Sequence, residues 1–198
     1  MSEFSMILTE QDDRVLTITL NRPDDLNPVS WQVLNEIDSV LDRARQDDSV
    51  GVIVIGAAGK AFSTGYDLRE AHWITSQYPA NFDDHVDIRK DRDDVHVIVD
   101  YWMKLWRYPK PLIAKVQGDC LSGAGELLGV CDLAIVSEHA RFGHPAGRDL
   151  GIPPSIMFWP MLIGYRKTKE LLYTSRLIPA HEAQQIGLVN EVVPHDQL

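Results

Sequence analysis

Gly118-Asp119-Cys120-Leu121-Ser122-Gly123-Ala124-Gly125-Glu126-Leu127-Leu128 is the stretch on which the reading of this chain turns. It follows an apolar run, Leu112 to Val116, of strand character. Its small residues make a turn. The turn opens into an apolar helical segment that carries one carboxylate, Glu126. A helix begun this way aims unpaired backbone N–H groups and the positive end of its dipole at one point. Gly123 has no Cβ, so an oxygen can come close to the backbone there. Glu126 follows about one helical turn later. Backbone donors beside a carboxylate suit chemistry that passes through an oxyanion and moves a proton.

Around this stretch strands and helices alternate. Val15 to Leu20 is alternating and β-branched, which predicts a strand. The turn-rich loop Asn21 to Pro28 leads to Ser30, an N-cap for a helix from Trp31 to about Arg45. That helix puts Val33, Leu34, Ile37, Val40, Leu41 and Ala44 on one stripe. Val50 to Ile55 is a near-continuous apolar run, the pattern of a strand covered on both faces. Val95, Ile98, Val99, Trp102, Leu105 and Trp106 predict a long amphipathic helix ending before Tyr108-Pro109. Leu133 to Val136 predicts another buried strand. Helices follow at Lys167 to Thr174 and His181 to Ile186, then a strand at Leu188 to Val193. This alternation means an α/β fold. Without a repeat or low-complexity linker, residues 1–198 read as one domain.

Composition narrows the function classes. The chain has 198 residues, 44% hydrophobic and 24% charged, as expected of a soluble globular protein. A net charge of −10 argues against nucleic acid as the main partner. Cys120 and Cys131 are the only cysteines, and their spacing fits neither a disulfide framework nor a C-x-x-C motif. That suits a reducing, cytoplasmic setting. No apolar stretch nears the roughly 20 residues of a membrane span, and no signal peptide is indicated. The acid-rich stretch Asp83 to Asp94 is interrupted by Arg89, Lys90 and Arg92 and reads as a solvated helix start. His72, His85 and His96 lack metal-ligand spacing, so no metal is expected. Ser122 lacks the surroundings of a nucleophile elbow and reads as a turn residue.

A second segment, Lys60-Ala61-Phe62-Ser63-Thr64-Gly65-Tyr66-Asp67-Leu68, follows the strand ending at Ile55. By itself it reads as a strand-to-helix loop with Asp67 as a cap. Beside the Gly123 turn it gains a second reading. Two loops, each after a buried strand, can each give one backbone N–H to a single carbonyl oxygen. Tyr66 and Gly123 are that pair.

The ordered set of motifs resembles the crotonase family, the enoyl-CoA hydratase/isomerase superfamily. It comprises Ile18-Thr19-Leu20-Asn21-Arg22-Pro23 with Leu26-Asn27, Val52 to Gly56, Ala61 to Leu68, Pro109 to Ala114, Gly123 to Leu127, Cys131 to Ile135 and Ala183 to Pro194. It covers nearly the whole chain. The resemblance implies a spiral of ββα units and an acyl-coenzyme A thioester as substrate, with coenzyme A as part of the substrate and no separate cofactor. It implies Tyr66 and Gly123 as donors to the thioester oxygen, and Glu126 for proton transfer. It also implies substrate contacts from Thr64, Tyr66, Asp67, Leu68, Arg69 and Gly123.

Two departures matter. A hydratase of this family uses a second glutamate, and aligning Pro145, Gly151 and Pro153 places that position at Ala146. Alanine moves no proton. Asp149 or His144 could substitute. Their plainer readings are an ion pair with Arg148 and a packing histidine. The segment Pro154-Ser155-Ile156-Met157-Phe158-Trp159 stands where the family has a glycine-containing turn, and its bulk should reshape the acyl pocket. Trp73, Tyr78 and Phe82 either line that pocket or pack beneath a loop.

The expected function is therefore an acyl-CoA enzyme of the hydratase/isomerase type, a lyase or isomerase of fatty acid metabolism. The alternatives are decarboxylation, hydrolysis or C–C cleavage on the same enolate, or a non-catalytic acyl-CoA-binding homologue. The resemblance also implies C-terminal trimerisation helices beyond Pro194. Their absence from this sequence leads to the expectation of a homotrimer or hexamer whose neighbouring subunit covers the cut surface.

Overall fold

The computed structural model describes residues 4–69, 88–149, 154 and 158–198. Strands β1 (Ile7–Asp12) and β2 (Val15–Leu20) form an antiparallel hairpin with Ile7 opposite Leu20. The Ser30 hydroxyl accepts the Val33 N–H at 3.2 Å and caps α1 (Trp31–Gln46). All six residues of the expected stripe on α1 are buried. Strand β3 (Val52–Ala57) lies parallel to β2. Helix α2 (Ile88–Trp106) begins earlier than the apolar pattern suggested, because its first turns carry exposed charges such as Arg89, Arg92 and Asp93. Trp102 in its last turns is fully buried.

Strand β4 (Leu112–Val116) is followed by a short strand, β5 (Asp119–Leu121), and then by α3 (Ala124–Val130). The pattern recurs in β6 (Leu133–Ser137), β7 (Arg141–Gly143) and the single-turn α4 (Ala146–Asp149). Next come α5 (Trp159–Ile163), α6 (Tyr165–Thr174), β8 (Ile178–Pro179), α7 (Ala180–Gln185) and β9 (Glu191–Val193).

The strands sort into two sheets. The larger runs β1-β2-β3-β4-β6-β9, parallel from β2 onward. The smaller runs β5-β7-β8. In the units β4-β5-α3 and β6-β7-α4 the two strands thus enter different sheets before the helix, whereas β1 and β2, which precede α1, share the large sheet; each is a ββα repeat. Ile53, Ile55, Ala114 and Val116 are buried in the large sheet, as their near-continuous apolar runs require.

The expected strand at Leu188 to Val193 is shorter in the structure and spans Glu191–Val193. Leu188 and Val189 are buried, but in a turn. The Leu188 N–H returns to the Ala183 carbonyl, while Asn190 exchanges hydrogen bonds with Ala134 through its own N–H and its Oδ1. An apolar run can be packed without being extended.

Gly118, between β4 and β5, has φ +58, and a Cβ there would overlap the carbonyl of Lys60. Gly118→Ala combines a left-handed backbone with a collision against main chain. It should lower stability by on the order of 3 kcal/mol. Urea denaturation of the variant checks this, and an unchanged midpoint would overturn the argument.

Candidate active site

The site is built where two loops are stitched together by main chain. Ser63, in the loop after β3, donates its N–H to the Asp119 carbonyl at 3.0 Å. Its own carbonyl accepts the Leu121 N–H at 3.0 Å. Slightly further on, the Val29 N–H reaches the Gly65 carbonyl and the Asp67 N–H reaches the Val29 carbonyl, each at 2.8 Å. In such a parallel bridge, the residue between the two bonded ones turns its own N–H to the other side. Tyr66 is that residue.

The turn before α3 packs directly on this segment. A Cβ added at Gly65, which has φ +106, would lie 3.1 Å from the Gly123 nitrogen. One added at Gly123 would lie 2.6 Å from the Tyr66 ring. Glycine is therefore required at both positions by close approach. The Tyr66 ring is fixed in turn by Trp102, whose indole N–H donates to the Tyr66 hydroxyl at 3.1 Å.

The start of α3 differs from the sequence expectation in one respect. The Gly125 and Glu126 N–H groups are used internally, by the carbonyls of Ser122 at 2.8 Å and Gly123 at 3.2 Å. The Gly123 N–H makes no hydrogen bond to another described residue. The turn therefore offers fewer donors than a bare helix end. Ser122 takes φ +50, and its N–H is held by Gly143 at 2.9 Å.

Glu126 is carried inward by the first turn of α3 and is 3% exposed. It lines a cleft with Ser122, Gly125, His144, Pro154, Phe158, Trp159, Thr168 and Leu172, enclosing about 300 Å³ including its mouth. His144, 5% exposed, shares that cleft. Asp149 does not line it. Its carboxylate sits at the surface in an ion pair with Arg148 at 2.6 Å. Ala146, in the same single turn of helix, presents only a methyl group.

The residues after Tyr66 form a charged clasp. Asp67 is 3% exposed and takes Arg22 at 2.8 Å on one oxygen and the Arg69 Nε at 3.1 Å on the other. Asp25 bridges the same two arginines, to Arg22 at 3.1 Å and Arg69 at 3.0 Å. Burial alone would raise the Asp67 pKa. The hydrogen bonds from Arg69 and Arg22 outweigh it and hold the carboxyl down to about 2. Thr64 is half-buried, its N–H bonded to the Leu26 carbonyl at 3.2 Å, while Leu68 is exposed.

The enoyl-CoA hydratase/isomerase family model matches residues 10–198. A probable enoyl-CoA hydratase from Mycobacterium bovis is 36% identical over 98% of this chain and 71% of its own length. The short-chain-enoyl-CoA hydratase of Clostridium acetobutylicum is 33% identical over 99% of this chain and 72% of its own. Among solved structures, an enoyl-CoA hydratase/isomerase from Xanthobacter autotrophicus Py2 superimposes with a TM-score of 0.87. It is 36% identical over 98% of this chain and 69% of that one. The chain belongs to the enoyl-CoA hydratase/isomerase family. It is an enzyme of that family with a crotonase-type α/β fold.

Within this hydratase/isomerase the sequence reading located Glu126 and His144, which share the cleft, and Tyr66 and Gly123, which touch. It missed Arg22, whose only sequence signal was a cation in the Asn-Arg-Pro turn, and the cleft walls Thr168 and Leu172. Trp73, Tyr78, Phe82 and the residues 155–157 lie outside the described residues. Among the described residues no group of His, Cys, Asp or Glu could hold a metal, and no helix is long and apolar enough to cross a membrane.

The Asp67 clasp has a pH signature. Its folded pKa is depressed from 3.8 to about 2, so its stabilisation is present above the unfolded value and drains away as pH falls through the folded one. Asp67→Asn should be less stable than the parent at neutral pH. The difference should shrink between about pH 4 and pH 2. Urea denaturation across that range checks it; a difference independent of pH would remove the charge from the explanation.

Proposed function

We propose that this hydratase/isomerase acts on an acyl-CoA thioester through an enolate. The Tyr66 and Gly123 N–H groups hold the carbonyl oxygen, and Glu126 moves the proton at the α or β carbon. Coenzyme A enters as part of the substrate. The observation that carries the proposal is the placement of Glu126. A carboxylate is carried into a cleft by the turn that follows Gly123, and Gly123 lies against Tyr66. Charge building on an oxygen between two preorganised N–H groups is stabilised most where water is excluded. Thr64, Leu68 and the Asp67–Arg69 clasp would shape the approach for the coenzyme.

The reaction follows from the carboxylate count. Glu126 is the one carboxylate among the described residues lining the cleft. Moving a double bond needs a single base that takes a proton and returns it. Adding water calls for a second group to position or activate that water. Ala146 supplies none, so the reading favours isomerisation over hydration. Other enolate chemistry and a purely acyl-CoA-binding role remain the competing outcomes of the tests. The exposed Met161, Leu162, Tyr165 and Tyr173 on and beside α6 support assembly into a trimer or hexamer, in which such apolar surface is covered.

Glu126→Gln keeps size and polarity and removes the base. Turnover of a 3-enoyl-CoA should fall by about 10²–10⁴, with acyl-CoA affinity nearly kept. The parent enzyme should hydrate crotonyl-CoA poorly. Stopped-time assays with product analysis measure both. Rapid hydration by the parent would point to a substitute for the second carboxylate, with His144 tested next.

Gly123→Ala separates geometry from folding. The backbone angles, φ −58 and ψ −21, suit alanine, but the new methyl meets the Tyr66 ring. Turnover should fall by on the order of 10²–10³, as for loss of one oxyanion donor. Adding Tyr66→Ala, which removes the ring and keeps the N–H, should restore part of it. Full activity in Gly123→Ala alone would dismiss this pair of donors.

A further inference from the structure

Trp159, the first residue of α5, presents a donor that the fold leaves unused. Its side chain is 8% exposed and lines the same cleft as Glu126. The indole edge lies against α3: a Cβ at Gly125 would stand 3.6 Å from both the Nε1 and Cζ2 atoms of Trp159. That is the residue immediately before Glu126. The indole Nε1 donates to no described residue, and no buried side-chain nitrogen or oxygen among the described residues is left without a partner. The Nε1 atom is therefore accessible, on a side chain that lines the cleft and lies against Gly125. A tryptophan buried this deeply ordinarily has its N–H satisfied, because an unmatched buried donor costs about 1–3 kcal/mol.

The other groups in the cleft define what could answer that donor. Thr168 uses its hydroxyl proton on the Gly164 carbonyl at 2.9 Å. Ser122 immediately precedes Gly123 and so belongs to the thioester end. Pro154, Phe158 and Leu172 are apolar walls. No lysine or arginine lines the cleft among the described residues, and Glu126 already places a carboxylate there. Besides Glu126, His144 is the one other titratable side chain among the described lining residues. A carboxylate on the acyl chain would give up its hydration there with no lysine or arginine to replace it, which is costly. An uncharged oxygen would accept the indole N–H and lose little else.

We propose that Trp159 is a specificity-determining residue that selects acyl-CoA thioesters bearing an uncharged oxygen, such as an ether, hydroxyl or keto group, in the acyl chain. This rests on the acyl-CoA reading of the site. It goes beyond that reading by assigning the chemical class of the acyl group. Trp159 touches the chain without taking part in proton transfer.

The test compares unreactive, saturated isosteres, so that binding is read without turnover. Pentanoyl-CoA is paired with 3-methoxypropionyl-CoA, and hexanoyl-CoA with 4-methoxybutyryl-CoA. In each pair one methylene becomes an oxygen at constant length. Calorimetric titration of the parent enzyme should show at least one ether bound about three- to tenfold more tightly than its hydrocarbon partner, the worth of one net hydrogen bond. Trp159→Phe keeps a ring in the wall and removes the donor. It should abolish that preference, read as the ratio of the two affinities within each pair so that any general loss from the smaller ring cancels. Independently of any variant, the Trp159 indole N–H resonance of the parent should move when the preferred ether binds and stay in place with its hydrocarbon partner. No ether preference in the parent, or a preference that survives Trp159→Phe, overturns the assignment of Trp159 while leaving the acyl-CoA reading intact. Thioesters that bind no better than coenzyme A itself would overturn the acyl-CoA reading, and this inference with it.

Discussion

Main chain bonded to main chain, across the loop that follows β3, is the constraint on which the site depends. Within five residues this loop is tied to β5 through Ser63 and to the segment before α1 through Gly65 and Asp67. Side chains reinforce it. The Asn27 amide donates to the carbonyls of Ala58 at 2.8 Å and Ala61 at 2.9 Å, holding the loop's first half. Backbone ladders of this kind fix position without depending on rotamers. That matters wherever donors must be aimed at a small target, since a displacement of about an ångström costs much of their effect. The contact is tight enough that Gly65, Gly118 and Gly123 have no room for a Cβ.

The large sheet explains why the two loops meet. Strands β3 and β4 are parallel neighbours, paired from Ile53 with Leu112 to Ile55 with Ala114. The loops leaving their carboxyl ends must therefore emerge side by side. Ser63 then extends the small sheet by bridging to Cys120, so the loops become strands for one residue where they touch. The same rule brings the residues after β6 to the neighbouring position, because β6 pairs with β4 and β7 pairs with β5. His144 directly follows β7 and lands in the cleft opened by α3. Chain order, sheet order and site composition are thus one statement.

Much of this was legible in residues. The stripe on α1 and its Ser30 cap were readable because a helix of four turns repeats its pattern several times. Strands β2 and β4 were readable from β-branched and apolar runs. Strands β5, β7 and β8 were not. Two or three residues carry no period, and their pairing is decided by partners far away in sequence. Strand β1 escaped for another reason: five of its six residues are exposed, so an edge strand here reads as polar chain. In the site, glycines announced close approach and Glu126 announced itself as the single carboxylate of an apolar helix. Arg22 and the walls Thr168 and Leu172 gave no signal, since an arginine in a turn and a threonine in a helix acquire meaning only from what lies opposite.

Asp67 and Glu126, the two buried carboxylates among the described residues, stand in different surroundings. Asp67 is surrounded by two arginines, and its charge is held in place by hydrogen bonds that overcome its own desolvation. A group stabilised so strongly in one protonation state is a poor proton carrier near neutrality, because transfer is most effective when donor and acceptor pKa values lie near the working pH. It is well suited to holding a loop. Glu126 lies in a cleft whose described walls are largely apolar and contain no arginine or lysine. The segment from Tyr66 to Arg69 divides its labour over four residues: the Tyr66 ring packs against Gly123, while Asp67 and Arg69 tie the same loop to Arg22 and Asp25.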